Sequence, residues 1–333
     1  MRISYDEMKG EFKRVLIKKG VDTKTAETAA SIIADNSSDG VYSHGLNRFP
    51  SIIKAIEEGV IKPVMRPVKL NSIGALEQWD GQLGFGPINA TIAMDRAVEL
   101  AEYYGIGCVA LRNTTHWLRG GTYGLRAANA GCIGICMTNT IPNMPPWGGS
   151  ENRIGNNPLI ISVPQKGGKH LLLDMAQSQF SFGKLQTYSL AGKKLPVLGG
   201  YTADGDLSDD PESILNGGKV IPSGFWKGSG LSIAIDMIVS ALSVGRSTSD
   251  LRGERQDSGI SQVFIAINPA EYAGEEFADS YMESMAAYIK TSSKMADVKE
   301  ILYPGERAAK ERVENLRDGI PVNQKIWETV IKL

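Results

Sequence analysis

The chain has 333 residues, with 36 Lys and Arg against 37 Asp and Glu and a formal net charge of −1. That balance leaves no overall field to draw in nucleic acid or anionic lipid. With 42% hydrophobic and 22% charged residues, the composition predicts a globular protein with a sizeable core.

Cys108, Cys132 and Cys136 form no C-x-x-C pair and lie in apolar runs, which predicts buried reduced thiols and a cytoplasmic setting. The opening MRISYDEMKGEFKR has no apolar core of signal-peptide type. No run reaches the roughly 18 apolar residues of a membrane span.

In chain order, YDEMKGEFKRVLIKKG places Met8, Phe12, Val15 and Leu16 on one helical face and stops at Gly20. DTKTAETAASIIADN predicts a second helix capped by Asp22 or Thr23, and PSIIKAIEEG a third that ends at Gly59. Pro63 and Pro67 mark a change of pattern. Short β-rich runs follow to about Pro269: GCVALR, CIGICMT, PLIISVP, HLLLDMA and SQVFIAI. Helical stretches INATIAMDRAVELAEYYG and GLSIAIDMIVSALSVG are interspersed. PLIISVPQKGGKHLLLDMA reads as an antiparallel hairpin, so the sheet is mixed and not wholly parallel. Helical patterns return over the last sixty residues, with 276–292 and 323–332 the clearest.

The expected fold class is α/β, with a mixed, largely antiparallel sheet and a helical domain built from both chain ends. The expected division is residues 1–70 joined by 270–333 as the helical domain, and 71–269 as the sheet domain.

Three G-x-G strings occur, GFGPIN, GIGCVA and GSGLSI, and none completes G-x-G-x-x-G, which excludes a standard Rossmann dinucleotide site. H-E-x-x-H, G-x-S-x-G and the Walker signature are absent, and three histidines without clustered ligand spacing predict no metal. In FWKGSGLSIAIDM, Lys227 precedes a helix start where backbone amides and a point charge suit a phosphate; it reads equally as a solvated lysine. Asp174 ends an apolar strand, either in a ligand crevice or as a turn cap. His170 reads as a strand-edge histidine, and His116 lies in a polar stretch before a glycine-rich helix start.

DGVYSHGLNRFP is the richest segment. Glycine there allows close approach of backbone and ligand. A histidine near its free pKa donates a proton at neutral pH, and Arg48 offers a fork for a carboxylate. Ser43, His44 and Arg48 together suit a small oxo acid, or form a solvated capping loop.

Taken together, DGVYSHGLNR, RNTTHW, NNPLIISVP, LLLDMAQS, WKGSGL and LYPGER resemble, in this order, the malate/L-lactate dehydrogenase-like family of NAD(P)-dependent oxidoreductases, a family separate from the Rossmann lactate and malate dehydrogenases. The resemblance runs from the first helix to the last and is strongest to members acting on a 2,3-diketo sugar acid. It implies His44 as proton donor, with Ser43 and Arg48 beside it, and His116 as the position given the acid/base role in some members. It implies cofactor contacts at His170, Leu171, Leu172, Leu173, Asp174, Met175 and Ala176, at Trp226 and Lys227, at Gly305 and Glu306, and at Thr140. It further implies a homodimer that uses NADH, with NADPH tolerated, to reduce a 2-oxo acid. Related malate, lactate, ureidoglycolate or imino acid chemistry is the alternative, as is a non-catalytic ligand-binding relative. Where many members carry a smaller motif after the second histidine, this chain has Trp117 and Leu118, whose bulk bears on the substrate pocket.

Overall fold

The computed structural model describes residues 1–333, the side chains of residues 275–279 excepted. A two-residue strand β1 (Arg2–Ile3) precedes helices α1 (Tyr5–Lys18), α2 (Thr23–Ser38) and α3 (Phe49–Glu57). Asp22 caps α2 by accepting from the Thr25 amide, and Met8, Phe12, Val15 and Leu16 are the buried face of α1, as their spacing predicts.

The sheet begins with β2 (Val68–Ile73) and β3 (Leu76–Asp80), then α4 (Gly86–Tyr104), β4 (Ile106–Thr115), α5 (Gly121–Asn129), β5 (Ile133–Thr138), β6 (Leu159–Val163) and β7 (Leu171–Met175). A satellite follows: α6 (Phe182–Leu190), β8 (Gly200–Tyr201), β9 (Leu207–Ser208), α7 (Pro211–Gly217) and β10 (Lys219–Val220). The chain then forms α8 (Trp226–Ser243), β11 (Ser258–Ile267), α9 (Ala270–Ala273), α10 (Glu275–Lys290), α11 (Glu306–Asp318), β12 (Ile320–Pro321) and α12 (Gln324–Lys332).

The main sheet has seven strands in the order β2-β3-β4-β11-β5-β6-β7. Only β3 and β4 pair in parallel; the other five pairings are antiparallel, including the expected β6–β7 hairpin with Leu159 opposite Met175. The mixed, largely antiparallel α/β class read from the sequence is therefore the observed one. Tracing directions through these pairings puts the C-terminal ends of β3, β4, β5 and β7 on one edge of the sheet, with the start of β11 among them. His116, Thr140, Asp174 and Asp257 all lie at that edge.

Helices α4 and α5 cover one sheet face, with Ala97, Tyr123 and Ala127 against Leu111, Cys136, Ile160 and Phe264. Helix α8 covers the other through Ile235 and Val239 against Ala110, Met137 and Val263. A separate core joins the chain ends: the rings of Phe12 and Phe49 pack at a tilt with centroids 4.3 Å apart, and Ile33, Ile53, Trp327 and Val330 close around them. The described part of α10 contributes nothing to that core; Tyr281, Met285 and Tyr288 on it are exposed. Sequence periodicity is silent over residues 178–222, where the satellite gathers Met144, Leu185, Leu195, Ile214 and Val220 into a small cluster of its own. Among the described residues, no helix is long and apolar enough to cross a membrane.

Candidate active site

Helix α2 ends at Ser38, and Gly40, at φ +76°, turns the chain into two short 3-10 turns, Tyr42–His44 and Leu46–Arg48. The loop is fastened to α2 by side chains. Asn36 donates through Nδ2 to the His44 carbonyl at 3.0 Å, and Ser37 Oγ accepts from the Leu46 amide at 2.9 Å. Gly45 is part of this fastening, because a Cβ there would lie 2.2 Å from Ser37 Oγ. The glycine admits α2, where the sequence suggested that it admits a ligand.

His44 and His116 stack with ring centroids 5.8 Å apart and planes 16° from parallel. Ser43 Oγ lies 3.0 Å from His44 Nδ1, so the hydroxyl orients that ring. His116 Nδ1 accepts from the Leu118 amide at 2.9 Å, which places the proton of the neutral ring on Nε2. The chain folds back between His116 and Leu118 to bring that amide onto the ring, and leaves Leu118 at a left-handed φ of +69°. Nε2 faces Asp257 Oδ2 at 3.9 Å. Asp257 Oδ1 accepts from the Ile141 amide at 2.9 Å, and its carbonyl accepts from the His116 amide at 3.2 Å. Arg48, His116 and Asp257 line one small pocket, walled by Ile52, Phe85 and Leu118. Trp117 points elsewhere, into the sheet core against Tyr123 and Phe264, so of the two bulky residues only Leu118 meets the pocket.

Electrostatics correct one expectation. His44 is not near its free pKa: burial first, then the Arg48 and Arg119 charges, pull it down to about 4. Burial, Arg48 and His44 push His116 well below the ordinary imidazole value. Burial raises the Asp257 carboxyl against the pull of the Ile141 amide and Arg48. Both rings are neutral at pH 7 in the free protein.

A cavity of about 830 Å³ opens between α2, α5, α11 and the β7 edge. His170, Leu172, Gly305 and Glu306 line it together with Asn36, Asp39, Arg119, Lys169, Tyr303 and Arg312. The C-terminal segment closes onto β7, with the Leu172 amide donating to the Pro304 carbonyl at 2.8 Å; Gly305, at φ +103°, would place a Cβ 3.0 Å from the Leu172 nitrogen. Glu306 accepts from the Tyr303 amide at 3.0 Å and pairs with Lys290. His170 uses both ring nitrogens, with Gln165 N at 3.0 Å and Asn129 Oδ1 at 2.9 Å.

Asp174 accepts from the Gly121 amide at 2.9 Å and so caps α5, with Arg119 Nε 3.7 Å away. Burial raises its pKa, and Arg119 and the Gly121 amide oppose the rise. Leu171, Leu173, Met175 and Ala176 lie along the same strand and its end without lining the cavity. Thr140 is buried, its hydroxyl within 3.3 Å of Ile141 O, Asn156 Oδ1 and Asn157 Oδ1. Trp226 and Lys227 are exposed at the start of α8 and line neither pocket. Sequence reasoning missed Asp257, Asn36, Asp39 and Arg119. Buried Asp39 and Arg119 pair directly, and Arg312 bonds Asp39 and Asp35 at 2.8 Å each, tying α2, the α5 approach and α11 together.

Comparison with known proteins follows the same line. The malate/L-lactate dehydrogenase family profile matches residues 3–331. The chain belongs to the malate/L-lactate dehydrogenase family. It is accordingly an oxidoreductase. A 2,3-diketo-L-gulonate reductase of Escherichia coli (strain SE11) is 43% identical over 331 residues, 99% of each chain. The Shigella flexneri 2,3-diketo-L-gulonate reductase matches to the same extent. Among solved structures, sulfolactate dehydrogenase from Methanocaldococcus jannaschii superposes with a TM-score of 0.90 at 32% identity, covering 99% of this chain and 95% of that one. Malate dehydrogenase from Entamoeba histolytica gives 0.94 at 27% identity, covering 100% and 96%.

Proposed function

We propose that this oxidoreductase uses NADH to reduce the ketone of a small 2-oxo acid, with 2,3-diketo-L-gulonate as the favoured substrate on the strength of the 43% identity to reductases of that name. The observation that carries the reading is the juxtaposition of Arg48 with the stacked His44–His116 pair at the sheet edge. Arg48 binds the substrate carboxylate through its guanidinium fork. His44 delivers a proton to the ketone oxygen, held in orientation by Ser43. The carboxylate on Arg48 also offsets one of the two positive charges that, after burial, depress His44, so binding raises the pKa of the donor.

The donor set of the 830 Å³ cavity fits a nicotinamide dinucleotide: it is large enough, carries several cations, and Asn36 on its wall holds the His44 carbonyl. When bound there, the cofactor supplies the hydride. His170, Leu172, Gly305 and Glu306 would hold it from the β7 side, with Asp174 setting the position of α5; Trp226, Lys227 and Thr140 belong to the reading only through likeness to the family. NADH is favoured over NADPH on the strength of the resemblance; of the five Lys and Arg residues on the cavity wall, Arg119, Arg126, Lys310 and Arg312 are each engaged by a carboxylate, and Lys169 is the fifth. A cytoplasmic homodimer, divided into 1–70 with 270–333 and 71–269, completes the proposal; the three free cysteines accord with a reducing compartment.

The test is oxidation of NADH and NADPH across a panel of 2-oxo and 2,3-dioxo sugar acids. His44→Ala is expected to lose 10²–10⁴-fold in kcat, the usual magnitude for a positioned acid, with NADH binding retained. Near-normal turnover by that variant overturns the role of His44. Absence of any oxo-acid-dependent oxidation by the wild type overturns the reading.

A further inference from the structure

We infer that His116 serves as a permanently neutral hydrogen-bond donor to the substrate through Nε2–H, locked in that form by the Leu118 amide, and does not exchange protons during the reaction. The inference rests on the proposed reduction and divides labour between its two histidines.

A histidine can act as a base only where a free ring nitrogen can take a proton. His116 has two ring nitrogens, and Nδ1 is already accepting the Leu118 amide at 2.9 Å. Protonating Nδ1 would set two donors against each other at that distance, so the imidazolium form requires this bond to break. The amide lies between two buried side chains, Leu118 at 3% exposed and the adjoining Trp117, which is anchored in the sheet core. The backbone of His116 is pinned as well, since its own amide donates to the Asp257 carbonyl. The backbone on both sides of the ring is therefore fastened, and the amide stays where it meets Nδ1.

Nε2–H points the other way. Asp257 Oδ2, at 3.9 Å, is beyond hydrogen-bond range, and the other carboxylate oxygen is tethered to the Ile141 amide. The donor therefore faces the pocket that holds Arg48, where a carboxylate-anchored substrate would present an oxygen. The charged and titratable groups facing the ring are His44 and Arg48 from the loop after α2, and Asp257 from the approach to β11. The first two disfavour a charge on His116, in agreement with its depressed pKa. His44 differs at the decisive atom: its Nδ1 meets a rotatable hydroxyl, which can donate or accept, so it can take up a proton without breaking its contact.

Two measurements decide the point on the full-length protein. With only three histidines, ¹⁵N-histidine NMR can assign each ring by single substitution. His116 is expected to remain a neutral Nε2–H tautomer from pH 5 to 9; an imidazolium or an Nδ1–H tautomer within that range overturns the inference. The second uses His116→Gln, whose amide NH₂ can occupy the place of Nε2–H. This variant should keep kcat within about tenfold of wild type, with the acid-side and base-side limbs of the wild-type pH profile unchanged. A loss of 10²–10⁴-fold, as for a general acid, or the disappearance of a limb, overturns it. Wild-type turnover and His44→Ala report separately on the proposed function, so failure of one is not mistaken for failure of the other.

Discussion

At the scale of single residues, charge decides what each group can do. His44 takes up a proton reluctantly because burial and two arginines oppose it, and a substrate carboxylate placed on Arg48 removes part of that opposition. Binding a 2-oxo acid should then be coupled to proton uptake. The sign follows from linkage: a ligand that raises the pKa of a group binds more tightly as pH falls through the window between the free value of about 4 and the higher value in the complex. Calorimetry in buffers of different ionisation enthalpy is expected to show net proton uptake on oxo-acid binding at pH 6, absent in His44→Gln; uptake that persists in the variant would place the proton elsewhere. Ser43, His44 and Arg48 were legible in the sequence because a polar, glycine-bounded histidine is unusual in so histidine-poor a chain. Asp257 was not, since nothing in ERQDSG distinguishes a carboxylate aimed at a ring 141 positions earlier from any loop aspartate.

Among the elements, periodicity reported faithfully wherever one face of a helix meets a core. The spacing of Met8, Phe12, Val15 and Leu16 corresponds to real burial, and PLIISVPQKGGKHLLLDMA to a real β6–β7 hairpin. It was uninformative for 178–222, where elements of two to nine residues pack around a five-residue cluster and leave too short a stretch for a period to register. Contacts between elements were invisible for a different reason: Asp39, Arg119 and Arg312 are far apart in sequence, and no local pattern marks a buried ion pair. That network makes a strong prediction. Asp39→Ala takes from buried Arg119 its direct partner, leaving it only the Asp174 carboxylate 3.7 Å away, and frees one arm of Arg312; it should destabilise the fold by roughly 3–5 kcal/mol. A urea titration monitored by tryptophan fluorescence measures it; a change below about 1 kcal/mol would mean that the pair contributes little beyond its own desolvation.

For the molecule as a whole, the first and last helices share one core, and the same C-terminal region that supplies it also supplies one wall of the cavity. Trp327 on α12 is 1% exposed and belongs to the cluster built around Phe12 and Phe49. Trp327→Ala is expected to cost about 3–5 kcal/mol, the range for an aromatic core truncation. Because α11 and α12 are consecutive, NADH affinity should weaken alongside the fall in urea midpoint, whereas a core lesion under the sheet alone would spare it. An intact affinity in a variant destabilised to this degree would show that the two regions are mechanically separate. The sequence revealed the helical ends and the sheet between them, yet concealed the cavity, since no single strand–turn–helix unit builds it. Its walls come from α2, α5, the edge of β7, and α11 with the segment before it. A glycine fingerprint could never have marked such a place.

The bond from the Leu172 amide to the Pro304 carbonyl reaches further than the cavity it helps to close. As the last strand of its sheet, β7 offers a row of main-chain groups to any extended peptide in its vicinity. Residues Tyr303–Glu306 lie over that row, and proline at 304 has no N–H with which to pass the ladder outward. Cleavage or displacement of this short stretch would thus do more than open the cavity: it would uncap a sheet margin and turn the enzyme into a nucleus for chain-to-chain strand addition.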